Sequence, residues 1–427
     1  MIREFVILGG GSAYTPGLLQ ALIQHRDSLG LARVRLYDTH REHLDLVGRL
    51  GAAMARSTGA SFTVETAPGL DAALEGAEVV LNSTRPGGLE ARRLDETIPL
   101  ELGMPGQETV GPGGFFFALR SVPEALRVAA TLDRVAPGAL LLNYTNPSNI
   151  VTQALVDRGG VRVLGLCDQS AEDLHDLAQA LGRPGASVAF RCNGLNHATW
   201  YSEITFEGHA LPDPLPDLAP PPGLDAEHRL RFELALAVAR EHPGHWPNSY
   251  LPYYLAPDRF VRLSREQGPR TDAILAKLPE YYAHFRQEAG REQPELRLHR
   301  GSAGFGDLAV TVLQALGNPA GGTLVLNAEN QGMTELFAPT TVVEAQVRLG
   351  AQGLVRMPAP GLPQDFARRL AQLETYQRLA AVAARSGEER DALRALEANP
   401  LVDSGPRALA LWKLARPRYG DLLKGRP

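Results

Sequence analysis

Residues 4 to 19 read "EFVILGGGSAYTPGLL", and the structure assigned to them decides the rest of the chain. Four apolar residues lead into Gly9, Gly10 and Gly11, and a helix-like pattern starts after Tyr14. Glycines at a strand-to-helix junction let the backbone approach a pyrophosphate, while the helix N-terminus supplies amide donors and the positive end of a dipole. Tyr14 takes the place of the third glycine in the six-residue fingerprint, so the glycines alone serve equally well for a tight turn. The next apolar run, "RVRLYD", ends in Asp38, where a carboxylate commonly accepts both hydroxyls of an adenosine ribose. Together the two features favour NAD over NADP, against the plainer alternative of Asp38 as a helix N-cap. Ser12 and Asn82, the latter closing "AEVVLNS", complete the expected cofactor set.

Outward from that junction the pattern repeats. "AEVVLNS", "ALLLNYTNP" and "VRVLGLC" are short β-rich runs separated by amphipathic stretches such as "VPEALRVAATLDRV". This alternation predicts a Rossmann-like, doubly wound α/β sheet with ligands beyond the carboxyl ends of its strands. Every polar motif is expected at or just after such an end. Near residue 188 the rhythm changes to two extended runs, "VAFRCNGLNHATWYSEITFEG", as in an antiparallel excursion. A proline-rich connection, helices over about 225 to 290, the strand-like "GGTLVLNAEN", the hairpin-like "VVEAQVRLGAQGLVRM" and helices over about 364 to 416 follow. The expected division is a cofactor-binding domain over 1 to 190 and an appended α+β domain over 191 to 427 for substrate, metal and oligomerisation.

Length and charge narrow the function. With 427 residues the chain exceeds one simple core, and a net charge of −5 offers nucleic acid no general attraction. No apolar run is long enough for a bilayer span, and "MIREFVILGGG" reads as a first strand and not as a signal peptide. Two cysteines cannot build a disulfide framework at this length, which places the expected location in a reducing cytoplasm.

Cys167 and His197 each follow an extended run, and a thiolate and a neutral imidazole are both competent metal ligands. A buried free cysteine is also a common core filler, so this pair by itself leaves both alternatives open.

In order and spacing, "GGGSAYTPGLL", "RPGGLEARRLDETIPLELGMPGQETVGPGGFFFALR", "TNPSNIVTQA", "GLCD", "GLNH", "YLPYYL", "RTDAILAKL", "RGSAG" and "LVLNAENQGMTELFAPTTVVEAQVRL" resemble glycoside hydrolase family 4, the NAD- and metal-dependent glycosidases. That family departs from the two-carboxylate mechanism of most glycosidases. The resemblance implies hydrolysis of a phosphorylated glycoside by transient oxidation at carbon 3, proton removal at carbon 2, elimination and water addition. It implies NAD used catalytically, a divalent metal, manganese by the family's preference, and a homodimer or homotetramer. It also implies Cys167 and His197 as metal ligands, Tyr250 as the base at carbon 2, and Arg92, Asn146 and Arg270 as sugar or phosphate contacts.

Anomeric preference is divided. "RPGGLEARRLDE" resembles the motif of 6-phospho-β-glucosidases and sets the expectation of a β-glucoside, whereas Cys167-Asp168 is similar to α-specific members, in which the aspartate protonates the leaving group. Asp168 is alternatively the N-cap of the helix that opens "SAEDLHDLAQAL". Outside the family, a 2-hydroxyacid dehydrogenase shares the expected fold but has no use for a cysteine ligand. A non-enzymatic NAD sensor leaves Cys167, His197 and Tyr250 without a task.

Overall fold

The computed structural model describes residues 2–301 and 303–423, so Ser302 within "RGSAG" lies outside the described residues. Six short strands open the chain: β1 (Glu4–Leu8), β2 (Arg33–Tyr37), β3 (Thr63–Thr66), β4 (Val79–Asn82), β5 (Leu140–Asn143) and β6 (Arg162–Gly165). In β1, Phe5 and Ile7 face one hydrophobic core and Val6 and Leu8 the other. Leu140 and Leu142 oppose Leu141 in the same way on β5. Strands buried on both faces belong between two helical layers, and all six pair in parallel. Their order is β6-β5-β4-β1-β2-β3, so the winding reverses between β1 and β4 and opens a crevice at the strands' carboxyl ends.

The excursion is a second, antiparallel sheet of β7 (Val188–Asn193), β8 (Trp200–Phe206), β9 (His209–Ala210) and β10 (His245–Pro247). It packs around Phe206, Phe232 and Trp246. The chain then returns to the first sheet with β11 (Gly322–Glu329), β12 (Val342–Gly350) and β13 (Gly353–Arg356), all antiparallel, giving the nine-stranded order β13-β12-β11-β6-β5-β4-β1-β2-β3. β11 touches β6 through Asn327 and Gly165, so strands from the second half extend the sheet of the first. The architecture is a Rossmann-like doubly wound sheet with an α+β C-terminal addition. No helix among the described residues is long and apolar enough to cross a membrane.

One expectation needs correction. "GMPGQETVGPGGFFFALR" does not follow a strand; it joins the helix Gly88–Glu101 to the helix Gly111–Val135. Pro112 sits in the first turn of the latter, where its missing N–H leaves no hydrogen bond unmade, and the phenylalanines continue that helix into the core.

These two helices are locked to the C-terminal helix Gly405–Tyr419 by a buried ion pair. Arg120 donates to Asp95 at 3.0 and 2.6 Å, and the Tyr419 hydroxyl donates to the same carboxylate at 2.6 Å. Burial pushes Asp95 up to about 6 against the pull of Arg120. Removing one member of a buried pair strands the other charge, which costs about 3–5 kcal/mol. Arg120→Met should therefore lower the urea midpoint sharply, while Arg134→Met, at the exposed pair with Asp71, should leave it unchanged within error.

Candidate active site

The glycine turn after β1 is built for close approach. Gly9 has φ +85°, and a Cβ there would lie 2.8 Å from the Ser83 carbonyl oxygen. The Gly11 N–H donates to Asp38 Oδ2 at 3.0 Å, and Asp38 Oδ1 accepts the His40 N–H at 2.9 Å. His40, not Asp38, is the N-cap of the helix Arg41–Ser57, so the capping alternative for Asp38 falls away. Ser12 accepts weakly from the Tyr14 N–H at 3.4 Å as the helix Thr15–Gln24 begins. Asn82, at the end of β4, donates to Asn143 and accepts from Thr84, so its side chain braces neighbouring strand ends. The Tyr282 hydroxyl, from the helix Arg270–Ala289, donates to the Gly11 carbonyl at 2.9 Å. Nothing in the local pattern around Tyr282 announced that contact.

Cys167 lies two residues beyond β6, and His197 sits in the loop from β7 to β8 with φ +63°. The fold places Cys167 Sγ 3.6 Å from His197 Nε2. Metal–sulfur and metal–nitrogen bonds of about 2.3 and 2.1 Å leave two donors of one ion about that far apart. Burial first, and then Arg231, depresses His197 to about 3, which keeps the imidazole neutral as a ligand must be. Burial pushes the Cys167 thiol well up, opposed by the Gln169 N–H and the Asn196 amide. Among the described residues no three histidine, cysteine or carboxylate side chains form a metal cluster.

Tyr250 stacks on His197 with ring centroids 4.1 Å apart. The Arg231 guanidinium lies 4.2 Å from the Tyr250 ring centroid. Burial raises the phenol to about 12, and Arg231 then Arg270 pull it back. Its backbone is fixed by Asn248, and Ser249 by the buried Asp173. The other two tyrosines are engaged: Tyr253 donates to Glu227 and stacks on Phe260, and Tyr254 packs beside Gly111.

Asp168 is the N-cap residue of the helix Gln169–Ala180 by position, but its side chain makes no capping hydrogen bond. Asn146 sits in the turn after β5, its carbonyl accepting from Ser121 at 3.0 Å.

The arginines divide into two kinds. Arg92 is buried and engaged, with Glu96 at 2.7 Å and Glu108 at 3.0 Å. Arg85 also pairs with Glu108. Arg270, which is exposed, and Arg300, which is half-buried, have by contrast no hydrogen-bond or ion-pair acceptor among the described residues. Arg300 covers the Tyr14 ring at 4.7 Å, beside the glycine turn. Guanidinium groups without protein acceptors suit an incoming anion. Arg300 was legible as part of "RGSAG" but carried no signal of its role, and Arg231 looked like one more charge on a helix face.

Residues 4–183 match the model for family 4 glycosyl hydrolases, and residues 192–402 match the model for the C-terminal domain of that family. A probable 6-phospho-beta-glucosidase of Bacillus subtilis strain 168 is 29% identical over 416 residues, covering 94% of this chain and 92% of the relative. A 6-phospho-alpha-glucosidase from gut microorganisms, solved in complex with NAD and Mn2+, superposes with a TM-score of 0.91 at 24% identity, over 99% of both chains. The 6-phospho-beta glucosidase from Thermotoga maritima, solved with manganese, NAD+ and glucose-6-phosphate, gives 0.83 at 23% identity over 98% of both chains.

Glu108 ties the arginine cluster together. Burial opposes its ionisation, but Arg85 and Arg92 prevail and hold the carboxyl down at about 2. A depressed carboxylate stabilises the fold above its unfolded pKa and loses that contribution as pH falls through the folded one. Glu108→Gln should therefore reduce stability by about 3 kcal/mol at pH 7 and flatten the acid-unfolding profile between about pH 4.5 and 2, followed by circular dichroism.

Proposed function

Because the chain belongs to family 4 of the glycosyl hydrolases, we propose that it hydrolyses 6-phosphoglucosides at the site formed by Cys167, His197 and Tyr250. The observation that carries this reading is the 3.6 Å approach of Cys167 to His197 with Tyr250 stacked against the imidazole. Gly9, Gly10, Gly11, Ser12, Asp38 and Asn82 would hold NAD, and the tight backbone of the turn, which leaves no room for a Cβ at Gly9, fits that role. A neutral imidazole facing a sulfur fits a divalent metal, manganese in the related structures, with substrate oxygens at its other positions. When bound, NAD supplies reversible oxidation at carbon 3 and the metal a Lewis acid for the sugar oxygens.

The chain's own groups do the rest. Tyr250 takes the proton from carbon 2, helped by Arg231 and Arg270, which favour its phenolate. Arg270 and Arg300, which have no protein acceptor among the described residues, hold the 6-phosphate. Arg92 shapes that pocket through Glu108, and Asn146 lines the sugar side. Asp168, one residue after the cysteine, is the candidate proton donor for the leaving oxygen.

Asp168 also bears on the anomer. The β expectation rests on "RPGGLEARRLDE", yet five of its six charged residues, Arg85, Arg92, Arg93, Asp95 and Glu96, make ion pairs within the protein. Such residues report on scaffolding and say little about the leaving group. An α-glucoside is accordingly the better supported substrate within this reading, with the β-glucoside the second. A 2-hydroxyacid dehydrogenase would leave the sulfur and the imidazole unexplained.

The test uses 4-nitrophenyl α- and β-glucosides, with and without 6-phosphate, in deuterated water with NAD and manganese. Released sugar carrying deuterium at carbon 2 is expected; unlabelled product, or turnover without NAD, ends the proposal. Tyr250→Phe should lower kcat by about 10²–10⁴. Arg300→Met should raise KM for the phosphorylated substrate only, and an equal change for the unphosphorylated one removes Arg300 from the phosphate site.

A further inference from the structure

Behind the cysteine and histidine lies a buried carboxylate to which the proposed chemistry gives no task. Glu344, on β12, is 1% exposed. Its Oε2 accepts from the Asn196 amide at 2.6 Å and the Asn327 amide at 3.2 Å, and its Oε1 accepts from the Thr199 hydroxyl at 2.5 Å. Its backbone N–H donates to the Gly194 carbonyl at 2.9 Å. Burial pushes the carboxyl up and the Thr199, Asn196 and Asn327 donors pull it back, with no lysine or arginine paired to it among the described residues. Its ionised form is costly there without a counter-ion, so a positive charge nearby would favour it.

The three donors show where that charge belongs. Asn196 and Thr199 flank His197, whose left-handed φ of +63° is an uncommon conformation for a residue with a side chain. The Asn196 amide also favours the Cys167 thiolate. An amide nitrogen carries two hydrogens, and because a carboxylate only accepts, Glu344 obliges Asn196 to present its nitrogen and not its oxygen. The second hydrogen is then available to the sulfur. Ligands of metals are commonly oriented by such outer hydrogen bonds, whose loss typically costs 10–100-fold in metal affinity.

We propose that Glu344 is a positioning residue for the metal: through Asn196 it directs an N–H at the Cys167 sulfur, and through Asn196 and Thr199 it holds the loop that aims His197. The proposal rests on Cys167 and His197 being the metal ligands. Glu344→Gln, of the same shape, places an NH₂ among donors, so Asn196 or Thr199 must turn, and a turned Asn196 presents a carbonyl oxygen to the thiolate.

The test titrates cobalt(II) into metal-stripped, full-length protein with NAD present, reading both affinity and the thiolate-to-cobalt charge-transfer band. NAD affinity and the thermal midpoint are measured alongside. Wild type should show the band and Cys167→Ser should lose it. Glu344→Gln should bind cobalt at least about tenfold more weakly, with a shifted or weakened band and unchanged NAD affinity. Asn196→Ala, which removes the link between Glu344 and the sulfur and leaves the Thr199 bond in place, should repeat the loss, and the double variant should lose little more than either single one. If Cys167→Ser keeps the band and the affinity, the ligand assignment fails and the role of Glu344 with it. If Cys167→Ser loses the band while Glu344→Gln and Asn196→Ala bind cobalt as wild type does, the ligands stand and Glu344 is only structural. Should Glu344→Gln fail to fold, Asn196→Ala decides between these outcomes by itself.

Discussion

The approach of Cys167 to His197 is the constraint to which the two sheets are fitted, because the donors come from different ones. Cys167 leaves the parallel sheet beyond β6, whereas His197 rides on the antiparallel excursion between β7 and β8. A third element fixes their separation. β12 donates a backbone N–H to the Gly194 carbonyl in the histidine loop and also pairs with β11, which lies against β6. The contact of β11 with β6 runs through Gly165, where a Cβ would come within 2.8 Å of Asn327 and 2.6 Å of Thr152. A side chain at Gly165 would push β11 away, carrying β12 and Glu344 out of register with the sulfur.

Charge is arranged around that contact with the same economy. Behind it lies the buried carboxyl of Glu344, while Arg85, Arg92, Arg270 and Arg300 outnumber Glu96 and Glu108, the carboxylates that pair with Arg85 and Arg92. Arg270 and Arg300 have no ion-pair partner among the described residues. A site already neutral on its own would have to break an ion pair to receive a phosphate. In the proposed site the phosphate would complete one.

The fold was legible because both of its signals are local. β1 and β5 are continuous apolar runs, and a strand buried on both faces has no other composition available. Asp38 was legible for the same reason, since strand, turn and carboxylate lie within one unit. What escaped was produced by contact between distant segments. Tyr282 reaches the Gly11 carbonyl from far along the chain, and Arg231 and Arg300 gain meaning only from the rings they cover. The helix start at Gly111 escaped because its glycines and proline read as a turn, although proline in a first helical turn is favourable. The resemblance to a family carried Cys167, His197 and Tyr250 to their numbers, but spacing alone could not have joined them.

The stack of His197 on Tyr250, with Arg231 against the same phenol, shows why these three side chains depend on one another. A permanent cation beside the phenol favours the phenolate, which a base requires, but it also repels any second positive charge nearby. Arg231 accordingly depresses His197 in addition to burial, and the imidazole stays neutral. Neutrality is the condition for coordination, so the group that would assist the proposed base also keeps the histidine in the form a ligand needs. A metal on Nε2 would return positive charge to the far side of the imidazole, where the sulfur and, behind it, Glu344 supply the balance. The proposed base and the proposed metal ligands are thus one electrostatic unit, and a change at Arg231 would be felt at both.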